Sequence, residues 1–170
     1  MAIMPFRPDL DGQSLRIAIV QARFNEWVGQ AVVDACVDQL RVLGVADESI
    51  VLMTVPGALE VPQVLARLAR MDDFDALIAV GCVMRGETYH FEVVANESAR
   101  AVAQLGLEGG VPVINAILTV DDEAQARARA ADKGRDAADA AVEMANLMLT
   151  LDSFDEDLAL DQAYEEDERL

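Results

Sequence analysis

Cations are scarce in this chain. Lys133 is its only lysine and His90 its only histidine, and 13 lysine and arginine residues face 31 aspartates and glutamates, for a formal net charge of −18. So acidic a surface counts against nucleic acid and anionic membrane as partners, since both are polyanions held by clustered cations. Cysteine is equally sparse. The two cysteines, Cys36 and Cys82, fall on apolar segments of different predicted elements and suit reduced, buried thiols of a cytoplasmic protein rather than a disulfide framework. One histidine and two scattered cysteines offer no ligand spacing, so no metal site is expected. No apolar run approaches the roughly 20 residues that cross a bilayer. Met1–Leu10 holds two prolines and an aspartate, which does not read as a signal peptide.

What is present is a regular alternation of apolar patterns. Arg16–Gln21, Ser49–Val55, Ala76–Val83 and Val111–Thr119 are short, rich in Val and Ile and without strict alternation, as expected of strands covered on both faces of a parallel sheet. Helical stripes separate them: Val33, Cys36, Val37, Leu40 and Leu43; then Val61, Val64, Leu65 and Leu68, with Pro62 confined to the first turn; then Phe91, Val94, Ala95, Ser98, Ala101, Val102 and Leu105. A short helix over Glu123–Ala131 and a long one carrying Ala138, Ala141, Val142, Ala145 and Leu149 close the pattern. The order predicts a three-layer, doubly wound α/β domain over residues 15–151, whose ligands sit at the carboxyl ends of the strands. Residues 1–14 form a separate amino-terminal arm. Residues 152–170 are dense in acid and read as a solvated, partly disordered tail, the alternative being a helical tail whose Leu158, Leu160 and Tyr164 pack on a neighbouring subunit.

The strand ends carry the chemistry. Ala22-Arg23-Phe24-Asn25 follows the first. Phe24 either stacks on a flat heterocycle or packs on its own helix, and Asn25 reads as an N-cap. Pro56-Gly57-Ala58-Leu59-Glu60 follows the second; Glu60 either complements the helix dipole or accepts hydrogen bonds from substrate hydroxyls. After the third, Cys82-Val83-Met84-Arg85-Gly86-Glu87-Thr88-Tyr89-His90 predicts a glycine-containing turn and a helix opening at Glu87–Thr88, with His90 in its first turn. Such a turn aims free N–H groups at an anion, and an imidazole beside it can move protons. A lone helical histidine is also commonly structural. Glu87 would repel an anion and is expected to turn outward. The fourth strand carries Asn115 and leads to Arg127 and Arg129, which project from different sides of one helix, so that only one of them meets a given site.

Four segments together resemble the lumazine synthase family: Ala22-Arg23-Phe24-Asn25, Val55-Pro56-Gly57-Ala58-Leu59-Glu60-Val61-Pro62, Gly81 through Phe91, and Leu118-Thr119 with Gln125-Ala126. The resemblance runs from about Arg16 to Leu149. It implies a flavodoxin-like sandwich around a central parallel four-stranded sheet. It also implies condensation of 5-amino-6-(D-ribitylamino)uracil with 3,4-dihydroxy-2-butanone 4-phosphate to 6,7-dimethyl-8-ribityllumazine, phosphate and water, with no metal or organic cofactor. By that resemblance Phe24 stacks on the pyrimidine and Ala58, Leu59 and Glu60 hold the ribityl chain. Cys82, Val83 and Met84 offer backbone groups to the pyrimidine edge. Gly86, Glu87 and Thr88 cradle the phosphate, Arg129 pairs with it, and His90 is the catalytic histidine. Lys133 aligns loosely with a family lysine near the site.

The resemblance further implies a homo-oligomer with its site between adjacent subunits of a pentamer. Phe24, Glu60 and His90 then come from one chain, Asn115 and Arg129 from the next, and the amino-terminal arm adds a strand to a neighbour's sheet. Two departures stand out. Asn115 occupies a position that is aromatic in many members. The segment between Arg129 and Lys133 is shorter than in capsid-forming members, which favours a pentamer or decamer over a sixty-subunit shell. Three other readings compete. A flavodoxin-like FMN carrier needs a Ser/Thr-rich loop where this chain has Gln21-Ala22-Arg23-Phe24-Asn25. A non-catalytic, flavin-binding or shell-forming paralogue would share the motifs. A Schiff-base aldolase would need its lysine on a strand, not in an alanine-rich stretch.

Overall fold

The structure is a computed structural model describing residues 7–108 and 110–167, with side chains through Phe154 apart from residue 109. Its elements are β1 (Ile17–Ala22), α1 (Glu26–Val42), β2 (Ile50–Val55), α2 (Val61–Leu68), β3 (Ala76–Met84), α3 (His90–Glu108), β4 (Val113–Val120) and α4 (Glu123–Asp167), with a 3-10 turn at Asp47–Ser49 before β2. The four strands pair in parallel in the order β2-β1-β3-β4, as the Val- and Ile-rich runs predict.

Parallel neighbours require crossovers, and each crossover must cover a face of the sheet. Successive strand residues therefore feed two separate cores. Ile17 and Ile19 of β1, Ile78 and Val80 of β3 and Leu118 of β4 pack with Val32, Cys36 and Leu40 of α1 and Ala138 and Val142 of α4. Ala18 and Val20, Leu77 and Ala79, and Ile117 pack on the other side with Val61 and Leu65 of α2 and Val102 of α3. β1 is buried at all six positions, which explains why its sequence shows no polar alternation.

The two helices expected after β4 are one. Between Ala131 and Ala137 nothing breaks the backbone: the intervening Asp132-Lys133-Gly134-Arg135-Asp136 holds no proline, and Gly134 is its weakest helix former. Gly134 has a packing reason. A Cβ there would lie 2.3 Å from the Val32 carbonyl oxygen and 2.9 Å from both Ala35 Cβ and Cys36 N, so α4 rests directly on the backbone of α1. The acidic segment also differs from the expected tail, because α4 continues as helix through Asp167; no proline or glycine interrupts it after Gly134. The side chains of Leu158, Leu160 and Tyr164 lie outside the described residues, as do Met1–Phe6 of the arm. The rest of the arm lies on α4, where the Asn146 amide nitrogen donates to the carbonyls of Asp9 at 3.1 Å and Asp11 at 2.9 Å.

Two measurements check this packing. Gly134→Ala is expected to destabilise the chain by about 1–3 kcal/mol, the usual cost of forcing atoms into a filled interface; an unchanged denaturation midpoint would contradict the close helix approach. Cys36 and Cys82 are buried and free, and burial pushes their thiols up to about 12 and about 11. Neither should react with a thiol reagent in the native protein at pH 8, and both should react in denaturant.

Candidate active site

The order of strands reverses between β1 and β3: α1 leads away to β2 on one side, and α2 returns past β1 to β3 on the other. The helices leave on opposite faces of the sheet, so a crevice opens at the carboxyl ends of these strands. A cleft of about 540 Å³ fills it, within the range of small-molecule sites.

Three strand exits build the walls. From β1, Ala22 and Phe24 line the cleft. Phe24 is 72% exposed, so its ring does not pack on its own helix. Its N–H donates to the Pro56 carbonyl at 3.2 Å, and the Arg23 N–H donates to the Val55 carbonyl at 2.8 Å, joining the first exit to the second. Asn25 occupies the N-cap position of α1 but its side chain caps nothing. It adopts the left-handed conformation, φ 57° and ψ 45°, which asparagine tolerates better than most residues. Its amide nitrogen instead donates to the Cys82 carbonyl at 3.0 Å, tying the first exit to the third. The N-cap expectation is corrected accordingly: the position is right, and the side chain is spent across the sheet.

From β2 come Pro56, Gly57, Ala58, Leu59 and Glu60. The Glu60 N–H returns to the Gly57 carbonyl at 3.2 Å, and the carboxylate folds over Gly57, where a Cβ would stand 3.0 Å from its Oε2. Glu60 makes no side-chain cap on α2, which leaves its oxygens to the cleft.

From β3 come Cys82, Val83, Met84, Gly86 and Thr88, with His90, Phe91 and Val94 of α3 beyond them. The helix opens at His90 and not at Glu87–Thr88 as expected. The strand ladder runs one bond further than its sequence suggests, through the Arg85 N–H to the Val120 carbonyl at 2.9 Å. Gly86–Tyr89 must then bridge from sheet to helix. Among the described residues, the N–H groups of Gly86, Glu87 and Thr88 have no protein acceptor. They remain available to an anion, whose charge the N-terminus of α3 also favours. The Glu87 side chain is exposed and is not part of the cleft wall.

The fourth exit stays apart in this chain. Asn115 is half-buried on β4 and its Oδ1 accepts the Ile117 N–H at 3.0 Å. Arg127 lies 4.2 Å from the Trp27 ring centroid and 3.6 Å from Glu123, whereas Arg129 reaches only the Gln125 carbonyl of its own helix at 3.4 Å. None of these, nor Lys133, lines the cleft, and no arginine or lysine side chain is among its lining residues. Among the described residues, no cluster of three or more His, Cys, Asp or Glu could hold a metal, and no helix is long and apolar enough to cross a membrane.

Sequence reasoning missed Phe91 and Val94 as cleft residues because their spacing already placed them in the core stripe; they serve both. It also missed the partners of Arg85. The guanidinium bonds Asp121 and Glu92, each at 2.8 Å, and covers the Phe91 ring at 4.2 Å. Asp121 lies 36 positions away, beyond the reach of any local pattern.

Known proteins share this chain's sequence along most of its length. A model of the family described as 6,7-dimethyl-8-ribityllumazine synthase matches residues 14–149. The protein of that name from Cupriavidus metallidurans is 55% identical over 163 residues, 96% of this chain and 96% of its own. Those from Paraburkholderia phymatum and Burkholderia mallei are each 54% identical over 157 residues, 92% of this chain and 91% of theirs. With its cleft at the strand reversal and its likeness to these relatives extending over nearly the whole sequence, the chain belongs to the 6,7-dimethyl-8-ribityllumazine synthase family.

Proposed function

We propose that this chain condenses 5-amino-6-(D-ribitylamino)uracil with 3,4-dihydroxy-2-butanone 4-phosphate to give 6,7-dimethyl-8-ribityllumazine, phosphate and water. One observation carries the assignment of parts. A single cleft gathers an unpacked aromatic ring at Phe24, a free carboxylate at Glu60, a run of unengaged N–H groups at Gly86–Thr88 and the imidazole of His90. A pyrimidine stacks on Phe24, with its edge on the backbone of Cys82, Val83 and Met84. The ribityl hydroxyls donate to Glu60 beside Ala58 and Leu59. The phosphate lies on the Gly86–Thr88 backbone, with the Thr88 hydroxyl beside it.

The chemistry follows from that placement. The uracil's 5-amine attacks the ketone and loses water to form an imine; phosphate leaves by elimination, the resulting enol tautomerises to a second carbonyl, and the ribitylamino nitrogen closes the ring on that carbonyl with loss of a second water. Every step relocates a proton, and the His90 imidazole at the edge of the phosphate cradle is placed to accept and return it. Holding both substrates in register supplies much of the acceleration. The FMN-carrier and aldolase readings have no comparable support: the loop after β1 offers no cluster of hydroxyls, and Lys133 stands outside the cleft. The synthase name of the relatives favours the catalytic reading over the non-catalytic paralogue.

A phosphate dianion meets no cation of this chain in the cleft, in a protein whose net charge is −18. This supports completion of the site by a second copy, whose Arg129 supplies the charge and whose Asn115 faces the pyrimidine. Arg129 suits this better than Arg127, which Trp27 and Glu123 already engage. We infer a pentamer or decamer in the cytoplasm, with the amino-terminal arm reaching a neighbour's sheet. Lys133 approaches the same boundary.

Mixing the protein with both substrates should produce the lumazine chromophore. His90→Ala should slow turnover about 100-fold, the lower end of general acid–base effects, without abolishing it; a parental rate would remove the imidazole from proton transfer. Light scattering at micromolar concentration should return five or ten chains per particle. A monomer would contradict the shared site.

A further inference from the structure

Arg85 stands where the third strand ends and the phosphate cradle begins, yet its side chain is not part of the cleft wall. Its backbone N–H is held by Val120, the last residue of β4, at 2.9 Å. Its Nη1 donates to Glu92 Oε1 at 2.8 Å and its Nε to Asp121 Oδ1 at 2.8 Å. The guanidinium carbon lies over the Phe91 ring, 4.2 Å from its centroid. Phe91 and Glu92 are in the first turn of α3, and Asp121 follows β4.

These contacts close a bracket around the site. The loop Gly86–Tyr89 leaves the sheet at Arg85 and enters α3 at His90, and the Arg85 side chain joins the two ends directly. The bracket extends to α4. The Asp121 N–H donates to Gln125 Oε1 at 3.1 Å, while Asp122 Oδ1 accepts the Gln125 N–H at 2.8 Å and caps the helix that carries Arg127 and Arg129. A planar fork with a stacking face suits such a junction; a lysine offers one compact charge and no plane. The charged groups of the bracket are partly exposed, at 48% for Arg85, 35% for Glu92 and 60% for Asp121. Exposed ion pairs contribute little to global stability. Their consequence here is the shape of the loop.

We propose that Arg85 is a positioning residue for the phosphate-bearing substrate: by bracing Phe91–Glu92 against Asp121, it holds the Gly86–Thr88 N–H groups and His90 in one fixed cradle. The proposal rests on the reading of this cleft as the lumazine-forming site, and it assigns to that site a residue that touches neither substrate.

The test uses the full chain with Arg85→Gln and Arg85→Lys, and with Glu92→Gln and Asp121→Asn to remove one arm each. Steady-state rates are read against both substrates, and inorganic phosphate binding is read by calorimetry, which needs no turnover. Arg85→Gln should raise KM for the butanone phosphate and Kd for phosphate by about tenfold, as expected of small displacements in a preorganised site. KM for the ribitylaminouracil should stay within about twofold and the melting midpoint within a few degrees. Arg85→Lys should recover only part of the loss. Glu92→Gln and Asp121→Asn should each weaken phosphate binding, with effects that fail to add to that of Arg85→Gln because the groups act as one unit. Parental KM and phosphate Kd in Arg85→Gln would overturn the proposal, as would equal losses for both substrates. If Arg85→Gln does not fold, unchanged phosphate binding in both carboxylate variants overturns it instead. A parent that binds phosphate but forms no lumazine sinks the functional reading, while the phosphate-binding series still decides the role of Arg85.

Discussion

A parallel strand cannot turn straight back onto its neighbour. Each of the three connections between successive strands crosses a face of the sheet, and all four carboxyl ends point the same way. With β1 and β3 adjacent and their helices leaving on opposite faces, the crevice between them is a consequence of connectivity before any site residue is considered. Ala22 and Gly81 show how tightly this centre is drawn together: a Cβ on Gly81 would sit 3.1 Å from that of Ala22. The loops after the strands then have little freedom to choose which of them meet.

Those loops are locked by hydrogen bonds between neighbouring exits. Arg23 and Phe24 bond to Val55 and Pro56, Asn25 bonds to Cys82, and Arg85 bonds to Val120 and Asp121. The chain thus carries its strand-to-strand pairing past the formal ends of the strands and onto the rim of the cleft. Behind the rim, α1 and α4 meet through Gly134 and a row of alanines. Close packing on that side leaves the acidic and polar residues to the surface, where solvent and salt screen their mutual repulsion.

Charge supply shapes the site as strongly as geometry does. An acidic chain cannot hold a phosphate by general attraction, and several of its arginines are committed to its own acids: Arg16 to Asp73, Arg41 to Asp38 and Asp47, Arg85 to Glu92 and Asp121, Arg127 to Glu123, with Trp27 beneath it. The Arg85 guanidinium holds the carboxyls of Asp121 and Glu92 below their ordinary range. Those carboxylates therefore stay ionised at neutral pH, and the stability they contribute is lost only as pH falls through their lowered values. Within the cleft of one chain, the Gly86–Thr88 N–H groups are what remains for an anion, and they carry no net charge for the surrounding acids to neutralise.

The amino-acid sequence by itself determined the strands, the order of elements and the residues at three of the strand exits, because burial on both faces writes Val and Ile in short runs and tight turns demand glycine and proline at set places. It also marked Phe24, Glu60 and His90 as candidates through their position after those strands. Only the tertiary structure decided that Phe24 is unpacked, that the Asn25 amide is used across the sheet, that α3 begins at His90, that α4 is unbroken at Gly134 and that Arg85 faces two carboxylates. The reason is range. Periodicity and turn chemistry act over a few residues, whereas each of these outcomes depends on a backbone or side chain brought close by the folding of distant strands and helices onto one another.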